Sequence, residues 1–355
     1  MARRWVIGRN LVVFSDGTGN QLKAKGNTNV LRLHAMTRET PEQVRFYDPG
    51  VGTEAAPQAL TWIGRTWTRL LGLAFGYGIK RNVVEAYTFI MRHWEPGDRI
   101  FLFGFSRGAY TVRAVAGMLR VIGLLPPDQE NLVPYALKLF WKPHGKDIEW
   151  DHVKAWNQQF CRADFNQWGY PVEFLGSWDT VKSVGWFRRR IQLPYTRLLK
   201  SVRTTRHACG LDEWRGQYKS YRISEDEAAK PNRDMREVWF AGVHSDVGGT
   251  FEPEHDLADI TLGWIGSAAR AAGLDVDDDA LEPYLTLPGD HAHGEVHRMG
   301  WFWVLTGISR RTAEPPGATV HESVRLRIAV DPKAAKRYAT KGILDTNPVE
   351  PWPHG

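Results

Sequence analysis

Three side chains in this sequence have the types and the order that nucleophilic catalysis needs: Ser106, Asp179 and His244. Ser106 is the centre of Gly104-Phe105-Ser106-Arg107-Gly108, a G-x-S-x-G pattern between the apolar run 100–105 and an apolar-periodic segment over about 111–122. That context predicts a strand, a very tight turn and a helix. The flanks of such a turn have no room for side chains, which suits Gly104 and Gly108. The serine hydroxyl then stands beside the helix N-terminus, where amides and the helix dipole stabilise a developing oxyanion. Five letters alone are a weak signal, and the strand and helix around them give the pattern its weight.

The run 171–177 reads as a strand, with Asp179 at its carboxyl end in Trp178-Asp179-Thr180-Val181. Catalytic groups gather at those ends in open parallel sheets, so Asp179 is the candidate acid. The run 236–243 reads as another strand, and His244 opens the Gly-rich stretch 244–250 just beyond it. The chain order Ser, Asp, His supports His244 as the base. Asp246 either bonds back into this loop or stands as an alternative acid. His207, near Asp212 and Glu213, is a competing histidine; it follows a segment read as helical and is expected to pack against the site or position it. A first strand over 10–15 ends in Asp16-Gly17-Thr18-Gly19-Asn20, which is turn chemistry. Asp16 to Thr18 is the candidate loop for a second oxyanion amide, from Gly17 or Thr18, beside the amide of Arg107. An Asp-Gly-Thr phosphatase needs an aspartate nucleophile two positions earlier, and Phe14 stands there instead.

These groups must be carried by elements that alternate strand and helix. A helix over 77–94 has Val83, Val84, Tyr87, Ile90 and Met91 on its apolar face, and Pro96-Gly97-Asp98 then turns the chain into the nucleophile strand. This βαβ grammar predicts an α/β fold: a mostly parallel sheet with helices on both faces. A second strand covers 43–47, and the loop 48–53 after it either lines the site or only connects. Segment 59–75 suits a core helix or an interfacial lid helix. A single domain over 1–355 is expected, with a helical insertion or cap over 124–168, a packing helix over 257–274 and a peripheral extension over 276–355.

Composition narrows the class further. Of 355 residues, 43% are hydrophobic and 24% charged, as in soluble globular proteins. No apolar run approaches the roughly 18 residues of a membrane span, and the N-terminus lacks a signal-peptide pattern, so synthesis in the cytoplasm is expected. Net charge is +6. The basic, aromatic segment 185–200 suits an anionic lipid surface, a phosphate backbone or a solvated loop. No nucleic-acid recognition motif accompanies the charge, and no nucleic-acid partner is expected. Cys161 and Cys209 make neither a disulfide framework nor a metal pattern. His291, His293 and His297 lack metal-site spacing, so neither metal nor organic cofactor is expected.

Six ordered blocks add a resemblance: 14–20 (FSDGTGN), 48–53 (DPGVGT), 96–119 around the elbow, 174–185 (FLGSWDTVKSVG), 206–215 (RHACGLDEWR) and 238–249 (VWFAGVHSDVGG). Over about 10–275 the chain resembles the α/β-hydrolase catalytic domain of the type VI secretion phospholipase effectors, the first family of type VI lipase effectors. The resemblance implies a Ser106-Asp179-His244 triad and sets His207 and Asp212 outside it. While peripheral contact with an anionic membrane is an expectation from the basic charge, the resemblance also implies phospholipase A-type ester hydrolysis, with a phospholipid or other ester as substrate and an acyl-serine intermediate. Delivery out of the cell by type VI secretion, with an immunity or secretion partner if the protein is a toxin, belongs to the same implication. Such effectors often carry a long membrane-anchoring module, for which 355 residues leave little space. A housekeeping hydrolase of soluble esters or thioesters is the alternative. A non-catalytic binding module on the same scaffold is the alternative of another class.

Overall fold

Successive strand residues face opposite sides of a sheet, and the apolar residues here are sorted that way. Leu11 and Val13 of β1 (Asn10–Ser15) join one buried cluster, Val12 and Phe14 the other. In β3 (Arg99–Phe105), Ile100 and Leu102 oppose Phe101, Phe103 and Phe105. A sheet buried on both faces must be covered by helices on both, as α/β folds do. The structure is a computed structural model describing residues 8–17, 26–50, 64–141, 149–166, 170–181, 193, 195–224, 233–252, 254–287, 289–297, 311, 318–343 and 345–353, with backbone alone over 64–77 and at 217.

Five more strands are β2 (Gln43–Asp48), β4 (Val172–Trp178), β5 (Val202–Gly210), β6 (Asp234–Phe240) and β7 (Val320–His321), and β8 (Val349–Glu350) is the last. All eight pair in parallel, in the order β2-β1-β3-β4-β5-β6-β7-β8. The α/β fold is therefore as the sequence predicts. One face is covered by α2 (Gly64–His93), α3 (Arg107–Val121), α4 (Val133–Phe140), α5 (Trp150–Phe160) and α6 (Ala163–Asn166). On the other face lies α1 (Asn29–Met36); α7 (His244–Gly248) also contributes there, followed by α8 (Asp256–Ala271), α9 (Asp278–Leu285), α10 (Glu322–Val330) and α11 (Pro332–Ala339). No helix among the described residues is long and apolar enough to cross a membrane.

Parallel register lines up the strand ends. Ser15, Gly104, Ser177, His207 and Glu237 are level across five strands, so the residues that follow them emerge at one edge. The chain reverses direction across the sheet at β1, with β2 on one side and β3 on the other. Open α/β sheets form their ligand crevice at such a switch.

Several expectations are corrected. The two helical segments of 59–75 and 77–94 are one helix from Gly64 onward. Whether its first half is core or lid lies outside the described side chains, and residues 51–53 of the loop 48–53 and 185–192 of the basic segment 185–200 lie outside the described residues. The segment before His207 is strand β5, not helix. Helices of 124–166 pack beside α2 and α3, and Arg162 donates to the Trp94 carbonyl at 2.8 Å, at the amino end of β3. That contact lies at the far end of the strand from Ser106. The extension past 276 supplies two strands of the sheet, and its Val320, Val324 and Tyr338 are fully buried in the second core.

Candidate active site

The elbow forms because two glycines let three backbones meet. A Cβ on Gly108 would lie 2.0 Å from the Ser15 carbonyl oxygen, and one on Gly104 would lie 2.6 Å from the Ala109 nitrogen. Between them Ser106 has φ 58° and ψ −117°, a left-handed backbone that L residues avoid and that the packing must hold in place. The neighbouring strand pins it: the Ser106 amide donates to the Trp178 carbonyl at 3.0 Å, and the Val181 amide donates to the Ser106 carbonyl at 3.5 Å. Arg107 begins α3, so its amide belongs to the helix N-terminus beside the serine.

Asp179 follows β4 directly, also with a left-handed φ of 39°. His244 begins α7 after β6, and its Nδ1 is 2.5 Å from Asp179 Oδ2. Both side chains are buried. The imidazole is stacked on Phe105, the residue before the serine, with ring centroids 4.6 Å apart, and packs against Tyr218 at 4.7 Å on another side. Among the described residues, Ser106 Oγ is not hydrogen-bonded to His244. Such contacts are often long until a substrate is bound.

Asp179 has further donors. The Gly210 amide donates to Oδ1 at 3.1 Å. Arg311 forks onto the carboxylate, with Nη1 2.5 Å from Oδ1 and Nη2 2.9 Å from Oδ2. Burial opposes ionisation of Asp179, but the Arg311 charge and the His244 bond outweigh it and hold the carboxyl well below its usual range. Burial lowers the pKa of His244, and the bond to Asp179 pulls the other way. Arg311 was not foreseen: it lies in the extension read as peripheral, 132 residues from its partner.

The other candidates are placed as follows. Asp246 accepts from the Val243 amide at 2.8 Å and faces His297 Nδ1 at 2.6 Å, so it braces the loop that carries His244 and does not pair with that ring. Gly17 turns its amide onto Asp16 Oδ1 at 2.6 Å, while Thr28 and Tyr47 donate to Asp16 Oδ2. Asp16 therefore organises the loop, and Gly17 must exchange partner to serve an oxyanion. Thr18 lies outside the described residues. Asp212 is held by the Gly242 amide, Tyr338 and Lys341, away from the His244 ring. Glu213, paired with Arg215 at 2.7 Å, accepts from the His244 amide at 3.2 Å.

His207 supports the acid loop from behind. Its Nε2 accepts from the Thr180 amide at 3.1 Å, which leaves the proton on Nδ1, 2.9 Å from Glu237 Oε2. Burial works against the Glu237 charge, yet the bonds from His207 and Arg222 bring its pKa down to about 2. Cys209 Sγ lies 3.4 Å from the same Nδ1. His207, Cys209 and Glu237 thus come as close as three metal ligands do, with their donor atoms within 4.8 Å of one another. The tautomer argues against a metal there. An ion on Nδ1 would displace the proton that Glu237 accepts, while Nε2 is already committed to Thr180 as an acceptor. Burial pushes the Cys209 thiol well above its usual range, which also disfavours the thiolate a metal needs.

Residues 9–268 match the family described as the type VI secretion phospholipase effector Tle1-like catalytic domain. The chain belongs to that family. As a Tle1-like catalytic domain it is also 32% identical over 221 residues to YEL023C, an uncharacterised protein of Saccharomyces cerevisiae, covering 60% of this chain and 32% of the yeast protein. Two solved structures are similar at 17% identity. A Tle1 effector bound to the VgrG spike of the type 6 secretion system has a TM-score of 0.43 and covers 70% of this chain and 52% of its own. For an uncharacterised protein from Pseudomonas aeruginosa the TM-score is 0.44, with 77% and 47% covered. This Tle1-like chain spans about a third of the curated relative's length and about half of each solved chain. Arg311 lies beyond the matched residues.

Proposed function

We propose that this chain is a serine hydrolase that cleaves carboxylic esters of phospholipids, in the manner of a phospholipase A. The observation that carries the reading is the buried 2.5 Å bond between His244 and Asp179, with the imidazole stacked on the residue that precedes a strained elbow serine. His244 Nε2 takes the Ser106 hydroxyl proton as Oγ bonds to the ester carbonyl carbon, and Asp179 stabilises the imidazolium. The Arg107 amide, joined by one from the Asp16–Thr18 loop, holds the oxyanion. The tetrahedral species collapses to an acyl-serine as the leaving alcohol takes the proton from His244. Water then gives a proton to His244 as its oxygen bonds to the acyl carbon. Collapse of this second tetrahedral species breaks the bond to Oγ, which takes the proton back from His244, and releases the fatty acid and free Ser106. Membership of a phospholipase effector family supports a phospholipid as the acyl donor. It also supports delivery by type VI secretion, where a related effector is held by a VgrG spike.

The test is fatty-acid release from phosphatidylglycerol and phosphatidylethanolamine vesicles, alongside a short soluble ester, with Ser106→Ala as control. Serine-dependent release from vesicles is expected. Turnover of the soluble ester alone would overturn the phospholipid assignment and leave a soluble-ester hydrolase. No turnover of either, with no labelling of Ser106 by a fluorophosphonate, would leave a binding module.

A further inference from the structure

Asp179 is held by more than a triad acid needs to orient one imidazole. Besides His244 and the Gly210 amide, both of its oxygens are taken by a single arginine, itself buried. That arginine is locked in turn: Nε donates to the Tyr218 carbonyl at 3.1 Å, Nη2 donates to the same carbonyl, and Nη1 donates to the Gly210 carbonyl at 3.0 Å. We propose that Arg311 is a positioning residue for the catalytic pair. It fixes the rotamer of Asp179 and offsets its charge, so that His244 is kept as a neutral base to lower pH than an unclamped Asp–His pair would allow.

The charge inventory around the ring supports this. The groups facing His244 are Asp179, Arg311, Glu213 with its partner Arg215, and Tyr218, with Arg107 and Cys209 in the next rank behind Tyr218 and Arg311. Asp179 with Arg311 is neutral, and so is Glu213 with Arg215. Arg107 adds one positive charge behind Tyr218, so a neutral imidazole leaves the cluster with that charge alone, whereas an imidazolium adds a second positive charge away from water, which is unfavourable. Without Arg311 the Asp179 charge would be balanced by His244 alone, and protonation of the ring would become easier. A guanidinium suits this place because its planar fork holds both oxygens at once, which an ammonium cannot do.

The catalytic consequence rests on the serine-hydrolase reading, but the titration of His244 does not, so the two fail separately. The experiment follows the His244 imidazole by NMR through a pH series in the intact chain and in Arg311→Met and Arg311→Lys. Fluorophosphonate labelling of Ser106 is measured across the same pH range. In Arg311→Met the His244 midpoint should rise by about 1–2 pH units, the size expected for removing one nearby charge. The acidic limb of labelling should move with it. Arg311→Lys should keep the midpoint close to that of the parent chain and still label more slowly, because the charge is present without the fork. A midpoint that stays put in Arg311→Met, or that moves equally in both variants, overturns the proposal and makes Arg311 a structural strut. Absence of labelling in the parent chain would sink the serine-hydrolase reading, with the titration still deciding on Arg311.

Discussion

Ser106→Ala should lower kcat on the order of 10⁶-fold toward any ester the protein turns over, since the nucleophile and its base act as a unit. Asp179→Asn should cost about 10⁴-fold, because an amide beside Nδ1 favours the wrong tautomer. Steady-state rates on one soluble ester decide both, and losses under tenfold would argue against the triad. Residues of this kind were legible in the sequence because each carries a local sign: two glycines around Ser106, and a strand end before Asp179 and before His244. The sequence left Asp246 open as the acid, and the geometry separates the two, since only Asp179 reaches His244 Nδ1. Arg311 carried no such sign. It is one of 46 lysines and arginines, and its role exists only through a partner far away in the chain.

The elbow depends on how closely α3 approaches the end of β1. Gly108→Ala would drive a Cβ to within 2.0 Å of the Ser15 oxygen, so either the helix or the strand must move. Destabilisation of about 1–3 kcal/mol or more is expected, with loss of Ser106 labelling in the fraction that stays folded. A thermal melt indistinguishable from that of the parent chain would refute the packing account. Five strands could be read from apolar runs bounded by turn residues, four of them to within one residue at each end, while the run 236–243 starts two residues late and overruns β6 by three. β5 was missed for a physical reason. Its Val202, Thr204 and Thr205 are good strand formers, but Arg203, Arg206 and His207 broke the apolar run that normally marks a central strand. Those polar groups are accommodated because each finds a partner: Arg203 with Glu173, Arg206 with Asp234 and His207 with Glu237.

At the scale of the molecule, stability should fall as pH drops below neutrality. His321 is fully buried and caps α10, its Nδ1 accepting from the Ser323 amide, and burial lowers its pKa to about 3. Its contribution is intact above about pH 6.5, where the unfolded chain is neutral too. As pH falls toward about 3 the unfolded chain binds a proton that the folded one refuses, at about 1.4 kcal/mol per pH unit. Glu237 adds a similar loss between about 4.5 and about 2. Urea midpoints from pH 7 to 4 should fall accordingly, and His321→Asn, which retains a cap without a titrating ring, should flatten the curve. An unchanged slope in that variant would refute the assignment. The two-residue strands β7 and β8 were invisible to periodicity, being too short to show any, which is why the chain past 276 was read as peripheral. Its place in the sheet has a consequence for how the protein is made. Arg311 leaves the ribosome 67 residues after His244, a delay of about 3–13 s at roughly 5–20 residues per second. Throughout that interval the nascent chain holds Ser106, Asp179 and His244 but lacks the Arg311 guanidinium that contacts Asp179 and the edge strands β7 and β8. Nascent chains stalled before residue 300 should therefore react with a fluorophosphonate far more slowly than the released protein.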